Sequence, residues 1–198
     1  MPKLTLYALK PGFQRMLRPS VAKLAAAGIT ANQVTISACA GSVMVGAWLA
    51  IKQSGWIVLP VFLLLRMVLN AMDGMLAREH GQQSRLGAVL NELTDVISDA
   101  ALTLPFAFLP GYSPMWVAGA IFFAILTEMA GVLGQTIGSE RRYDGPFGKS
   151  DRAFALGALG TWLALGWKVS GWALWAAPLA WILLCGATIV NRVRRALG

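Results

Sequence analysis

A group of polar residues stands in or beside stretches of this sequence that are otherwise apolar enough to cross a membrane. The group contains three aspartates, two asparagines and an arginine: Asn70, Asp73, Arg78, Asn91, Asp95 and Asp99. Ionisable side chains are costly at membrane depth, so they mark a functional site by default. Carboxylate and amide oxygens are the ligands of hard divalent cations, which in turn hold phosphate groups. The pattern therefore predicts a divalent-cation site for a phosphate-bearing substrate.

Helical periodicity places these residues on two facing helix surfaces. In the first helix, four residues have the spacing i, i+4, i+7 and i+11 of one helix face: Arg66, Asn70, Asp73 and Ala77. In the next helix they step by four: Gly87, Asn91, Asp95 and Asp99. The short loop 79–85 makes the two helices antiparallel neighbours, so we expect the polar faces to meet below the cytoplasmic surface. Arg66 and Asp99 then lie deeper, and Glu92 borders the site.

The spacing resembles the signature of the CDP-alcohol phosphatidyltransferase family, D-x2-D-G-x2-A-R-x8-G-x3-D-x3-D. The matching positions are, in order, Asn70, Asp73, Gly74, Ala77, Arg78, Gly87, Asn91 and Asp95. Every spacing agrees, but the first and third aspartates of the family pattern are asparagines in this chain. Upstream, residues 28–35 resemble the Thr-Pro-Asn-x-x-Thr segment that leads into the first membrane helix of the family, with Ala31 in the proline position.

The resemblance implies an enzyme of phospholipid biosynthesis that transfers a phosphatidyl group from a CDP-linked lipid, such as CDP-diacylglycerol, to an alcohol and releases CMP. It assigns metal binding to four positions: Asn70, Asp73, Asn91 and Asp95. It also makes Asp95 the catalytic base. The resemblance assigns contacts with CDP to six positions: Asp73, Gly74, Ala77, Arg78, Ser84 and Gly87. Ser84 would contribute its hydroxyl as a hydrogen-bond donor. The resemblance further implies a homodimer.

The two asparagines, Asn70 and Asn91, remove two negative charges from the four metal-binding positions. Amide oxygens still ligate Mg²⁺ or Ca²⁺, but the remaining charge suits one divalent ion better than a pair. We expect Mg²⁺, with Mn²⁺ or Ca²⁺ as alternatives, and one or two ions. Either the site works with one metal, or Glu92 or Asp99 supplies charge, or activity is lost. Because the glycines and Arg78 of the motif remain, we expect retained activity.

Composition places the chain in the membrane class as a single domain, residues 1–198. The chain is 57% hydrophobic and 13% charged, with a mean hydropathy of +0.61. Six segments approach the ~20 residues that a bilayer requires: about 32–51, 56–78, 86–109, 115–137, 151–168 and 172–190. We therefore expect an all-α integral membrane protein with a six-helix bundle over 32–196. Ser150 is the predicted N-cap of the fifth segment.

An amphipathic helix, interrupted by Pro11 and Pro19, is predicted over residues 1–28, where it should lie on the membrane surface. A solvated helix face is the alternative. Lys3 to Lys23 would favour contact with anionic lipids. The two cysteines, Cys39 and Cys185, fall in apolar helix interiors and are predicted to be packing residues.

The net charge of +8 is spread unevenly. Fourteen of the 17 Lys and Arg residues fall in four clusters: 3–23, Arg78 with Arg85, 141–152, and 192–195. By the positive-inside rule, both termini and the two basic loops lie in the cytoplasm. The sequence thus predicts a multi-pass protein of a bacterial-type inner membrane, with its site facing the cytoplasm. Because the basic clusters alternate with loop number, nucleic acid is not an expected partner.

Basic residues on the same side of the membrane are candidates for binding an acceptor phosphate, such as that of glycerol phosphate or an inositol phosphate. The best placed lie at helix ends: Lys149, Arg152 and Arg192. Topology signalling and contact with lipid headgroups explain these residues equally well. Glu128 lies within the fourth segment and is predicted to pair with Arg66, with contact to an amine-bearing acceptor as the alternative.

Two other classes of function fit parts of the pattern. Intramembrane carboxylates also mark small transporters and proton pathways, but here the polar residues gather at one depth. A catalytically silent relative that binds lipid or nucleotide is the other alternative, which the two asparagines keep open. Release of CMP from a CDP-lipid separates an enzyme from both.

Overall fold

The computed structural model describes residues 6–198, with side chains from residue 11 onward, and is helical without strands over that range. The α-helices are α1 (Leu6–Ala26), α2 (Ala31–Lys52), α3 (Val58–Glu79), α4 (Arg85–Thr103), α5 (Pro114–Thr136), α6 (Lys149–Ala164) and α7 (Ala173–Leu197). A short 3₁₀ helix, Leu104–Phe108, continues α4. The start of the predicted surface helix, residues 1–5, lies outside the described residues.

Four of the described helices are long and apolar enough to cross a membrane: α2, α3, α5 and α7. The chain is therefore a multi-pass membrane protein. The other two predicted spans correspond to α4, which carries Asn91, Glu92, Asp95 and Asp99, and to α6, which has only 16 residues. Helix α4 is more polar than the other four, and α6 is shorter than the ~20 residues that a bilayer requires.

Helices α2 and α4 run side by side in the same direction, with α3 antiparallel to both. A Cβ atom on Gly46 of α2 would clash with the backbone carbonyl of Ala101 in α4. Small residues allow membrane helices to approach this closely. The close approach aligns the start of α2 with the start of α4, so Asn32 lies beside Gly87. It thereby fixes the position of the second half of the motif.

Apolar packing fills the end of the bundle away from the motif. The central residues of this cluster come from α2, the turn before α3, α3, α4 and the 3₁₀ helix: Leu49, Trp56, Leu59, Leu63, Leu102 and Phe106. The Trp56 and Phe106 rings pack with centroids 5.0 Å apart.

Helix α1 runs unbroken through Pro11 and Pro19, so the predicted interruption by proline is wrong. Packing against α3 holds α1 together. Leu17 and Val21 of α1 are buried in a cluster with residues from the second half of α3, including Met75. Arg18 also pairs with Glu79 at the end of α3, at 2.8 Å. These contacts on both sides of Pro19 offset the backbone hydrogen bond that proline cannot make.

Two helix starts shape the walls of the site. Ser84 caps α4, with its side-chain oxygen accepting from the Gly87 N–H at 2.9 Å. Helix α6 begins at Lys149 rather than after Ser150, so the predicted Ser150 cap is wrong. Gly148 is the N-cap, and Asp151 Oδ2 accepts from its N–H at 2.9 Å. Asp151, the third residue of α6, thus supplies the half of a capping box that reaches back to the N-cap N–H.

Candidate active site

The two halves of the motif meet at a single open cavity of about 890 Å³. Its walls are the start of α2, the end of α3, and the starts of α4 and α6, with Arg192 of α7 behind them. Eleven of the twelve predicted site residues line it: Asn70, Asp73, Gly74, Ala77, Arg78, Ser84, Gly87, Asn91, Asp95, Lys149 and Arg192. Arg152 is the exception. The structure thus gathers residues that are more than 100 positions apart in sequence, from Asn70 to Arg192.

Asp73 is held from α2. Its carboxylate is nearly buried, with the residue 6% exposed, and Oδ2 lies 2.8 Å from the Thr35 hydroxyl, which donates to it. Thr35 is the last residue of the upstream segment 28–35, to which sequence reasoning gave no role in the site. The conformation of the segment depends on Thr30, which caps α2, and on Gln82, whose Oε1 accepts from the Ala31 N–H at 2.6 Å.

Asp95 is surrounded by donors on one of its two oxygens. Arg66 Nη2 and Asn70 Nδ2 each lie 3.3 Å from Asp95 Oδ1, and Lys149 Nζ forms an ion pair with the same atom. Asn70 thus turns its amide nitrogen, rather than its oxygen, toward Asp95. The negative charge of Asp95 is balanced by two cationic side chains from different helices.

The donor set fits one divalent cation better than two. Among the described residues, no group of three or more histidine, cysteine, aspartate or glutamate side chains could hold a metal ion. The cavity wall offers the carboxylates of Asp73 and Asp95 together with the amides of Asn70 and Asn91. Mg²⁺ is commonly bound by one or two carboxylates, with substrate phosphates and water completing its shell. These residues meet that requirement for one ion.

Glycines bring the backbone close to the cavity. A Cβ atom on Gly87 would lie 2.9 Å from Asn32 Oδ1 and 3.0 Å from Ser84 Oγ. A Cβ on Gly74 would lie 3.0 Å from Nη2 of Arg78, so the guanidinium folds back across that turn of α3. A larger residue at either position would narrow the cavity at the motif.

A network of buried ion pairs lies behind the cavity. Arg66 pairs with Asp99 at 2.6 Å, and Arg152 bridges Asp99 at 3.1 Å and Glu128 at 2.8 Å. Glu128 also contacts Arg192 at 3.4 Å. The predicted pair between Glu128 and Arg66 is therefore wrong. Glu128 faces the basic residues of α6 and α7, whereas Arg66 is occupied by the two aspartates of α4.

Arg152 faces this network rather than the cavity. It is 2% exposed, and besides the two carboxylates it donates to the Thr127 hydroxyl at 2.9 Å. Its position at a helix end suggested contact with an acceptor, but the side chain points between α4 and α5. The structure gives its guanidinium no direct access to the cavity, so we do not retain Arg152 as an acceptor residue.

Arg141, in the loop between α5 and α6, crosses one side of the cavity. It contacts Glu92 of α4 at 2.7 Å and Glu128 of α5 at 3.2 Å, and its guanidinium stacks over the Tyr143 ring at 4.3 Å. Burial by itself lowers the pKa of Arg141, but the hydrogen bond and charge of Glu92 outweigh it and leave that pKa raised. Sequence reasoning counted Arg141 only among the basic residues of the loop.

Sequence comparison identifies relatives over most of the chain. The profile of the CDP-alcohol phosphatidyltransferase family matches residues 28–186. The chain is 46% identical to the inner membrane protein YnbA of Escherichia coli K12, over 98% of this chain and 97% of that protein. It is 28% identical to the archaetidylinositol phosphate synthase of Aeropyrum pernix, over 76% of this chain and 77% of that one.

Solved structures share the fold. The phosphatidylinositol phosphate synthase PgsA1 of Mycobacterium tuberculosis, in complex with manganese and citrate, superposes with a TM-score of 0.74 at 21% identity, over 90% of this chain and 88% of that one. The same protein with CDP-DAG bound gives a TM-score of 0.70 at 22% identity, over 91% and 92% of the two chains. With the profile match covering most of its length, this chain belongs to the CDP-alcohol phosphatidyltransferase family and is a membrane enzyme of that class.

Proposed function

We propose that this enzyme transfers a phosphatidyl group from a CDP-linked lipid, such as CDP-diacylglycerol, to the hydroxyl of an alcohol that itself carries a phosphate. The observation behind the proposal is the single cavity that collects the motif residues of α3 and α4 and, beside them, Lys149 and Arg192. Two relatives support it by their names, an archaetidylinositol phosphate synthase and a phosphatidylinositol phosphate synthase. CMP is the second product.

The CDP group of the donor binds along the motif. In the proposal the contacts are made by Asp73, Gly74, Ala77, Arg78, Ser84 and Gly87, all of which line the cavity. Arg78 pairs with phosphate oxygens, because a guanidinium makes strong, charge-assisted hydrogen bonds to phosphate. The close backbone approach at Gly74 and Gly87 leaves room for the nucleotide. The PgsA1 structure with CDP-DAG supports a donor of this kind.

A divalent cation, which we propose is a single Mg²⁺ ion, would be held by Asp73 and Asp95 with the amides of Asn70 and Asn91. When bound, it neutralises the diphosphate and the charge that develops on the departing CMP. Thr35 keeps the Asp73 carboxylate in place. Asp95 accepts the proton of the acceptor hydroxyl as general base. The manganese in the PgsA1 structure supports a divalent cation in this fold.

The acceptor phosphate binds, in this proposal, between Lys149 and Arg192. Arg192 lines the cavity although the residue is only 2% exposed, and its guanidinium is fixed by the Thr127 carbonyl and by Glu128. Lys149 is the first residue of α6 and contacts Asp95. A phosphate held at this point brings the rest of the acceptor, and its hydroxyl, to the proposed general base.

The exposed faces of α4 support a bundle of six spans. Its exposed large apolar residues recur at helical spacing: Leu86, Val89, Leu93 and Ile97. Asp95 and Asp99 of the same helix instead point at Arg66. Such a helix can cross a bilayer with its apolar stripe toward lipid and its charges inside the protein. We propose that α4 and α6 span the membrane with the other four helices. We further propose that α1 lies on the membrane surface and that the enzyme is a homodimer.

The cavity is proposed to face the cytoplasm, and we expect a cysteine in the loop between α3 and α4 to be labelled from that side. His80 suits this test because it is exposed, whereas Gln82 caps α2. In a background without Cys39 and Cys185, His80→Cys should react with an impermeant maleimide only in inside-out vesicles. Labelling of right-side-out vesicles alone would reverse the orientation.

Purified enzyme given CDP-diacylglycerol and Mg²⁺ tests the activity directly. Glycerol phosphate and inositol phosphate should support release of CMP, and unphosphorylated glycerol and inositol should support far less. The paired acceptors differ only in the phosphate that Lys149 and Arg192 are proposed to bind. If no alcohol supports CMP release with Mg²⁺ or Mn²⁺, the proposed reaction is wrong. If the unphosphorylated alcohols react equally well, only the acceptor class is wrong.

A further inference from the structure

We propose that Lys149 couples cation binding to acceptor binding. Its ammonium holds Asp95 in the enzyme without metal, leaves when a divalent cation takes the carboxylate, and is then available to the acceptor phosphate. The inference rests on the function proposed above, because it needs Asp95 to be a metal ligand. The inference adds an order of binding: the cation binds first and makes Lys149 available to the acceptor phosphate.

The first support is the difference between the partners of Asp95. Lys149 and Arg66 both contact Asp95 Oδ1, but the Arg66 side chain is 5% exposed and is anchored to Asp99 at 2.6 Å. The side chain of Lys149 is 31% exposed and lines the open cavity. It stands on a flexible four-carbon stem that can rotate away. Of the two cationic partners, Lys149 is the one that can move.

The second support is electrostatic. A divalent cation on Asp95 would lie within a few ångströms of the Lys149 ammonium, and like charges at such separations repel strongly where water is partly excluded. Asp73 and Asp95 are the two carboxylates at the four proposed ligand positions, so a metal needs both. The cation and the ammonium therefore compete for the charge of the Asp95 carboxylate.

The third support is the destination of the released ammonium. Gly148, Ser150 and Arg192 line the cavity around Lys149, at the N-terminal end of a 16-residue helix. Arg192 contributes a positive charge that is already fixed by Thr127 and Glu128. Release of Lys149 from Asp95 would add its positive charge to that of Arg192. Binding of the cation and of an acceptor phosphate should therefore strengthen each other reciprocally.

Chemical labelling of the unmodified enzyme tests the movement. The purified protein in detergent is exposed briefly to acetic anhydride, with and without Mn²⁺, and acetylation of each lysine is quantified by mass spectrometry. An amine held against a carboxylate is poorly accessible to the reagent, so Mn²⁺ should increase acetylation of Lys149 several-fold. Exposed Lys168, beyond the opposite end of α6, serves as control and should not change. Equal acetylation of Lys149 in both conditions would overturn the proposal.

Metal affinity provides a second, independent readout. Calorimetric titration with Mn²⁺ alone should show that Lys149→Met binds the ion roughly tenfold more tightly, a size typical of coupled sites. Lys168→Met removes the same charge elsewhere and should bind as the parent does. Thermal melting of both variants confirms that they are folded. Unchanged or weaker Mn²⁺ binding by Lys149→Met would contradict the coupling.

Asp95→Asn separates failure of this inference from failure of the proposed function. If Mn²⁺ binds equally well to Asp95→Asn and to the parent, the metal site is misassigned and both proposals fall. If Asp95→Asn loses Mn²⁺ while Lys149→Met has parental affinity, the metal site stands and the role of Lys149 is wrong.

Discussion

Replacement of Asp95 by asparagine is expected to reduce CMP release by about 100- to 10,000-fold, the range typical for loss of a general base. The carboxylate lies between Asn70 and Lys149, where the proposed donor and acceptor halves of the cavity meet. Asn keeps the size of the side chain and removes the charge and the basic oxygen. Metal binding should fall with activity, because one of two carboxylates is lost. CMP release with saturating Mg²⁺, together with Mn²⁺ titration, measures both.

Asp73→Asn is the companion variant. The Thr35 hydroxyl can still donate to an amide oxygen, so the local geometry should survive. The negative charge of the carboxylate, which would hold the metal, is lost. Glu140→Gln, in the exposed part of the loop before α6, is the matched control and should behave as the parent. Near-normal CMP release and Mn²⁺ affinity in both aspartate variants would show that the metal is held elsewhere, with Glu92 and Asp99 as the next candidates.

The motif half of the site was predictable from sequence because helical periodicity acts locally. Residues four apart share a helix face, so the alignment of Asn91 with Asp95 follows from spacing alone. The short loop between α3 and α4 then requires the two faces to be neighbours. The cavity collects every motif position that this reasoning placed there.

The acceptor side was less predictable because a helix end does not determine the direction of its side chains. Lys149 and Arg152 are three residues apart in α6, yet Lys149 lines the cavity and Arg152 lies between α4 and α5. That choice depends on Asp99 and Glu128, carboxylates on other helices with which Arg152 pairs. Their positions follow from tertiary packing, which sequence spacing does not contain.

Two local signals, at Pro19 and at Ser150, also predicted the helices wrongly. Proline normally interrupts a helix, yet contacts of Leu17 and Val21 with α3 keep α1 continuous around Pro19. At α6 the reach of Asp151 back to Gly148 moves the helix start ahead of Ser150. The first cause is tertiary packing, whereas the second is a local interaction that competes with the Ser150 cap.

The buried network gives the prediction with the largest expected effect on stability. Arg152→Met should destabilise the folded protein by about 3–5 kcal/mol, because removing one member of a buried ion pair leaves the other charge uncompensated. Here two carboxylates lose a partner, Asp99 at 3.1 Å and Glu128 at 2.8 Å. Arg141 and Arg192 still contact Glu128, and Arg66 still contacts Asp99, which limits the loss.

Thermal melting in detergent, with CMP release measured well below the melting temperature, distinguishes this structural role from acceptor binding. Arg152→Met should melt much earlier than the parent but show a nearly unchanged KM for the acceptor. Combining it with Glu128→Gln should restore part of the lost stability, because the network then loses one negative charge along with the positive charge of Arg152. Arg194→Met, on an exposed position of α7, controls for loss of a cation and should melt normally. A large rise in acceptor KM at unchanged melting temperature would instead mean that Arg152 reaches the acceptor, as its position at a helix end suggested, and that the ion pairs with Asp99 and Glu128 contribute little.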